Sequence, residues 1–407
     1  YLEPSSSAGC RFDLQPEFQW VRATELAPSE ARQLCHLAIR QAKREDCPLS
    51  WISPEFISKY FCRSSYWQDL PSTFEWRLGY MNGEIAAAFC VDRANVYLNG
   101  WPVRGVLIGS LMFDEGHDER LMAQLEQAVT EASVDCDVVS FPACHPVPIF
   151  GAGVESWKAN GGQATDKPLF EASLPKRLLN ALSFEGCSVG AHKGYAYVEL
   201  SEMSPTEPTP LSGTLKIRDF DRTDFRNETT DFIHPIFCET IAKLDMCSEV
   251  PASTLTGLVQ DLRELAVPGL WLMAECLGEP AGFALCYPNI SAEFQRVAGN
   301  ADVADYHRIQ EKMESAREAF LAWIAVRPEF SGEGVSAALV EQLRSRLLAR
   351  HYTHIWLSWE FVDGDISMEQ HCERFGDVVR VVEMPCYVTR NSTASSQPST
   401  RHAKMSS

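Results

Sequence analysis

The chain is short of positive charge: 36 Lys and Arg stand against 55 Asp and Glu, a formal net charge of −19 over 407 residues. Such a field repels phosphate backbones and gathers small cations, which excludes nucleic acid as an expected partner. Long apolar runs are missing too. The longest useful one, Ala319 to Val326, is far below the roughly 20 residues that span a bilayer, so no membrane segment is expected. The 14 cysteines contain no C-x-x-C pair, and a chain of this size needs no disulfide staples. They read as reduced thiols, and the protein as cytoplasmic. Sequons at Asn227, Asn289 and Asn391 carry weight only behind a signal peptide, and Tyr1-Leu2-Glu3-Pro4 has no basic-then-apolar character. No H-E-x-x-H, no Cys/His cluster and no G-x-S-x-G elbow occurs, so neither a metal site nor a serine-hydrolase site is expected.

With 45% hydrophobic residues the chain can fill real cores, and its length suits about two or three domains. Its two halves follow one plan. A short strand around Trp20-Val21-Arg22 and a helical pattern from Ala31 to Ala42 match Lys216-Ile217-Arg218 and Phe225 to Phe237. Hairpins follow at Phe74 to Val91 and at Leu270 to Tyr287, the second turning at Gly278-Glu279, with Cys90 and Cys286 standing 196 positions apart. An apolar strand (Val106 to Phe113; Phe320 to Val326) leads to a helix holding Glu126-Gln127 or Glu341-Gln342, now 215 apart. A further strand and a last helix end at Gly161 or Gly376. The second half is thus 19 residues longer between its third and fourth strands, within the charged stretch Ser291 to Glu318, read as an exposed helix or a cover over an acceptor site. Ordered matches in two constant frames argue for duplication. The expected domains are 16–202 and 214–390, joined by the proline-rich linker 203–213, with Ser/Pro-rich tails at 1–15 and 391–407.

One motif carries chemistry. In Ile324-Ala325-Val326-Arg327-Pro328-Glu329-Phe330-Ser331-Gly332-Glu333-Gly334-Val335-Ser336-Ala337 a strand runs through a glycine turn into a helix, whose Val335, Leu339, Leu343 and Leu347 recur on one face. Glycines let the turn aim several backbone N–H groups at one point, at the positive end of the helix dipole, as phosphate binding requires. The Val-x-Pro, short aromatic turn, Gly-x-Gly and Leu-rich helix resemble the acyl-coenzyme A motif of the GNAT acyltransferase superfamily, and the order of elements is similar to that fold. The resemblance implies an α/β (α+β) architecture of two tandem GNAT-like domains, each a mixed central sheet flanked by helices, with the N-terminal one degenerate. It implies an N-acetyltransferase or other acyltransferase using acetyl-CoA or another acyl-CoA as co-substrate. Ser331, Gly332, Glu333, Gly334, Val335, Ser336 and Ala337 would hold the pyrophosphate, and Ile324, Ala325 and Val326 the pantetheine. Ser331 and Ser336 depart from the family's usual Gln/Arg and Gly/Ala. The first half, with Phe113-Asp114-Glu115-Gly116-His117-Asp118-Glu119 at the equivalent turn, should bind no coenzyme A, because its carboxylates repel pyrophosphate.

Acyl transfer to an amine needs a base and an acid. The family's usual acid, a Tyr four residues before the closing glycine, is replaced by Cys372, which is either a proton donor or a small core residue. His371 is the adjacent alternative. Glu360, at the end of the strand His354 to Trp359, is the candidate base, with Glu275 second. Trp323, Trp356 and Trp359 read as core or groove walls. The expected reaction moves a short acyl group from coenzyme A to a small-molecule amine by direct attack in a ternary complex, the acidic balance favouring a cationic acceptor. An acyl-carrier-protein donor, which would need a basic patch such as Arg344, Arg346 and Arg350, and a non-catalytic acyl-CoA-binding module are the alternatives.

Overall fold

The computed structural model describes residues 18–45, 73–98, 101–114, 118–133, 136–143, 154–157, 165–168, 188–201, 215–243, 251–263, 266–290, 311–360 and 368–390. The expected tails, the linker, Gly161 and 291–310 lie outside them. The first half runs β1 (Phe18–Ala23), α1 (Pro28–Glu45), β2 (Thr73–Met81), β3 (Glu84–Leu98), β4 (Trp101–Phe113), α2 (Asp118–Ser133), β5 (Val138–Ala143), β6 (Val154–Trp157), β7 (Thr165–Pro168) and β8 (Ser188–Leu200). The second repeats the order of β1 to β5, with an added helix before its hairpin among the described residues. It runs β9 (Leu215–Asp219), a π-turn Glu228–Ile233 leading into α3 (His234–Ile241), α4 (Ala252–Leu262), β10 (Trp271–Cys276), β11 (Glu279–Pro288), β12 (Glu318–Val326), α5 (Val335–Ala349), β13 (His354–Glu360), α6 (Met368–Phe375) and β14 (Gly376–Arg390).

The hairpin turns show why the second was misplaced by one residue. Asn82-Gly83 turns as expected, both residues left-handed (φ 55° and 83°), but the second turn is Leu277-Gly278 (φ 56° and 87°). A leucine rarely adopts this backbone, because its Cβ crowds the following carbonyl, so composition pointed one residue too far along.

The two mixed sheets run together. The strand order is β1-β2-β3-β4-β5-β14-β8-β13-β12-β11-β10-β9, with β6 and β7 branching from β14. Only β4/β5 and β12/β13 are parallel along this path. Each half gives its last long strand away: β8, which closes the first half in sequence, lies against β13, and β14 lies against β5. The two exchanged strands pair with each other from Leu200↔Gly376 to Ser188↔Val388. Backbone bonds from Leu200 N to Thr353 O (2.8 Å) and from Ser201 N to Phe375 O (3.2 Å) hold the joint, and Arg344, 5% exposed, donates to Ser201 O at 2.8 Å. Gly376 is required there. Its φ is +154°, and a Cβ would lie 2.0 Å from Glu199 O.

Helices cover both faces. One core gathers α1, α3 and α4 on one face, with Leu34, Leu37, Phe237 and Leu255 buried. On the other, α5 and α6 bury Val335, Leu339, Leu343, Leu347 and Phe375 against Ala284, Leu321 and Leu357, the stripe the periodicity predicts. The first half's α2 packs Leu121, Leu125 and Ala128 on Phe89 and Ile108.

Candidate functional site: a strand edge and a glycine turn

β12 and β13 pair only from Glu318↔His354 to Leu321↔Leu357, and beyond that they part. The register against β11 slips just there: Cys286 faces Leu321 and Leu285 faces Trp323, leaving Ala322 as an extra, bulged residue. Past the bulge, β12 keeps β11 on one side and, among the described residues, has no strand on the other. Arg327 donates its N–H to Ala281 O (2.9 Å). Because antiparallel ladders alternate, Ile324 and Val326 turn their backbone groups toward the open edge, while Trp323 and Ala325 turn theirs to β11. An extended amide-containing ligand could add there as a strand does.

The strand ends in a tight 3-10 turn, Pro328–Phe330, closed by Phe330 N to Arg327 O (2.9 Å) and Ser331 N to Pro328 O (3.1 Å). Gly332 (φ 85°) and Gly334 (φ 79°) are both left-handed, and Gly334 is the N-cap of α5, with no side chain capping the helix. The first intrahelical bond is Ala338 N to Gly334 O (2.9 Å), so the earlier amides have no acceptor in the helix. Val335 and Ala337 bury their side chains (1% and 8% exposed), which anchors the first turn while Ser331, Gly332 and Glu333 stay exposed. A Cβ at Gly332 would meet nothing within 4 Å, so the turn is open on that side. Arg327 lies at its root, with Nε and Nη2 on the carboxylate of Glu239 in α3 (2.9 and 3.0 Å) and Nη2 on Glu329 (3.1 Å).

Residues 239–376 match the Acetyltransferase (GNAT) family. This segment is a GNAT domain. Similar solved structures include a GCN5-related N-acetyltransferase from Sphaerobacter thermophilus (13% identity over 91% of this chain and 96% of that one, TM-score 0.48). A tandem GNAT protein of the clavulanic acid biosynthesis pathway is 10% identical over 92% of this chain and 99% of that one, with a TM-score of 0.47. A GCN5-related N-acetyltransferase from Anabaena variabilis is 9% identical over 92% and 74%, with a TM-score of 0.48. No curated protein matches.

The other expected residues of the GNAT domain sit as follows. Cys372 is 3% exposed and packs with Phe375 in the core beneath α6. His371 precedes it on α6, and Glu360 ends β13 opposite Lys193 of β8; the side chains of His371, Trp359 and Glu360 lie outside the described residues. Glu275 is bound to Arg218 (2.5 Å), which also holds Glu228 (2.9 Å). Trp323 packs at a tilt on Phe237 of α3 with centroids 5.4 Å apart, and Trp356, 7% exposed, packs on Tyr197 at 4.6 Å. The three arginines of α5 are engaged within the chain. Arg344 binds Ser201 O and Glu341, Arg346 binds Asp219 and Gly269 O, and Arg350 binds Pro268 O. Among the described residues no group of three metal-binding side chains occurs, and no helix is long and apolar enough to cross a membrane.

Sequence reasoning missed one arrangement. Tyr197, on the strand given by the first half, donates its hydroxyl to Glu318 Oε1 (2.8 Å), while Asn289 Nδ2 donates to Glu318 Oε2 (3.0 Å). Nothing local signals a contact between residues 121 positions apart.

Proposed function

We propose that the chain is an N-acyltransferase that moves an acetyl or other short acyl group from coenzyme A to an amine of a small molecule, with both reactants bound at once. The observation that carries this reading is the uncapped N-terminus of α5 behind Gly332 and Gly334, set at the end of a strand whose Ile324 and Val326 edge is open. A diphosphate suits the turn amides and the helix dipole, and a pantetheine arm suits the edge. Coenzyme A bound there supplies a thioester carbon for the amine to attack. The engagement of Arg344, Arg346 and Arg350 supports coenzyme A over a carrier protein as donor, since each guanidinium already serves a partner inside the chain.

Three residues are candidates for moving protons. Glu360, ending the strand that parts from β12, would take the proton of the attacking amine, directly or through water. His371 on α6 would return one to the departing thiolate, because Cys372 is packed away in apolar surroundings. The amine must reach the thioester neutral, so the rate should rise with pH as the amine deprotonates. The test is binding of acetyl-, malonyl- and longer acyl-coenzyme A by thermal shift and calorimetry. Gly334→Glu places a carboxylate and a Cβ in the turn and should weaken donor binding by about 100-fold or more. Stabilisation by no ester, or an unchanged response in Gly334→Glu, would refute the reading.

A further inference from the structure

Glu318 differs from the other carboxylates near the donor strand. Glu239 is ion-paired with Arg327, and Glu228 and Glu275 share Arg218. Among the described residues the hydrogen-bond partners of Glu318 are the neutral donors of Tyr197 and Asn289, one on each oxygen. They fix the carboxylate's orientation without cancelling its charge, and each oxygen keeps a lone pair. The backbone holds it too: Asn289 N donates to Glu318 O (2.8 Å), so Asn289 clamps both ends of the residue. Burial, reinforced by the Glu318 hydrogen bond and charge, pushes the Tyr197 phenol well above its ordinary value, so it stays a donor at neutral pH.

Aromatic rings wall this carboxylate. Tyr197 stacks on His354 (centroids 4.7 Å, planes 3° apart) and leans on Trp356 (4.6 Å). Tyr197, Trp356 and Trp323 belong to the same core face as Phe237 of α3, the face opposite α5 and α6. Glu318, Tyr197 and His354 are each partly exposed, so the wall reaches solvent. Among the described residues it has no counterpart in the first half. Where Glu318 opens the parallel pairing of β12 and β13, Gly105 opens that of β4 and β5, and a Cβ there would collide with Val96 at 2.5 Å.

A fixed carboxylate whose described partners are neutral, set among aromatic faces, recognises an alkylammonium, by charge and by cation–π attraction. The nitrogen paired with it stays protonated and is not the one that reacts. We propose that Glu318 and Tyr197 anchor a second, protonated amine of the acceptor, which makes the acceptor class a diamine or polyamine. The strands part at Leu321, three residues on, so the two nitrogens should be separated by about 10 Å at 3.3 Å per residue. The first half contributes Tyr197, which leaves the second half's acceptor site incomplete without the exchanged strand. This inference rests on the acyltransferase reading above for the identity of the reaction, but the anchor itself can be tested by binding alone.

The experiment compares hexamethylenediamine, spermidine and n-hexylamine on the full chain, by thermal shift without donor and by acyl transfer with acetyl-coenzyme A. Hexylamine must present its one nitrogen to the thioester and cannot also use the anchor, so in acyl transfer the diamine and spermidine should exceed it about tenfold in kcat/KM, and Glu318→Gln, which keeps an acceptor oxygen for one donor, should remove that advantage and weaken donor-free diamine binding. Tyr197→Phe should reduce the advantage by roughly two- to threefold. Equal kcat/KM for all three amines, or an unchanged ratio and diamine affinity in Glu318→Gln, overturns the anchor. Calorimetry of acetyl-coenzyme A separates the two proposals. Wild-type protein that binds diamines but no donor refutes the acyltransferase reading alone, and protein that binds donor without preferring diamines refutes the anchor alone.

Discussion

At the end of the fourth strand of each half, one residue donates its N–H back to the hairpin: Asp114 to Ala86 O and Arg327 to Ala281 O, both at 2.9 Å. Their side chains have opposite charges. Asp114 accepts two bonds from Arg40 of α1 (3.0 and 2.8 Å), while Arg327 gives two to Glu239 of α3. The same reversal recurs one layer away. Glu131 of α2 accepts from Arg22 of β1 and Arg77 of β2, and in the equivalent place Arg346 of α5 donates to Asp219 of β9. Duplication preserved the geometry of these ties while inverting their sign, so the fold needs a pair at each point and is indifferent to its direction. The glycine turn is different. There the second half leaves amides open behind two glycines, and the first half begins its helix with carboxylates; on the acyltransferase reading proposed above, the difference concerns ligand and not stability.

The largest effect should come where the halves are most dependent on each other. Gly376→Ala forces a Cβ against Glu199 O in the crossing of β8 and β14, and asks an L-residue for φ near +154°. With no room to yield, the cost should exceed about 3 kcal/mol, and because both sheets share this crossing, both halves should lose amide protection together. Hydrogen exchange showing one half intact would mean that the exchange of strands is not a cooperative joint.

The sequence made the helices and the turn legible because both are local. Val335, Leu339, Leu343 and Leu347 recur with the helical period and all are buried to 1% or less; Gly332 and Gly334 announce left-handed backbone. The exchange of β8 and β14 was not legible. Alternating residues specify that a segment is a strand and which face it buries, but the neighbour that accepts its hydrogen bonds is chosen by topology. For the same reason nothing in the sequence marks Tyr197, inside the expected domain 16–202, as a neighbour of the second half's sheet. The charged run around Cys372 hid a three-residue spacing: Cys372 and Phe375 share the inward side of α6, 3% and 1% exposed.

That placement sets the next expectation. Cys372→Ala removes a small buried group and should cost about 1–2 kcal/mol, seen as a lowered Tm, with kcat within about threefold of wild type. A loss of kcat beyond tenfold at unchanged Tm would restore the thiol as the acid.

Reversing a tie tests the indifference to sign directly. Arg327→Glu and Glu239→Arg should each destabilise by about 1 kcal/mol, discounted because the partners are 22% and 36% exposed. The double variant reproduces the first half's arrangement and should return to within about 0.5 kcal/mol of wild type by chemical denaturation. A double variant as unstable as the sum of its parts would show that the second half has come to require a cation at this point.

The smallest effect is set by acid. Burial alone would raise the Glu131 carboxyl, but hydrogen bonds from Arg77 and Gln127, with the charges of Arg77 and Arg22, outweigh it and hold the group below its ordinary value of 4.5. A carboxyl depressed in the folded state stabilises fully above the unfolded value and loses that contribution as pH falls through the folded one. Between about pH 5 and 3 the first half should therefore lose under about 1 kcal/mol through this group, which is 31% exposed. Glu131→Gln should flatten that slope. Exchange protection around β1, β2 and α2 should accordingly fall over that range in the wild type and less so in Glu131→Gln, and an unchanged slope in the variant would show that acid sensitivity does not follow this tie.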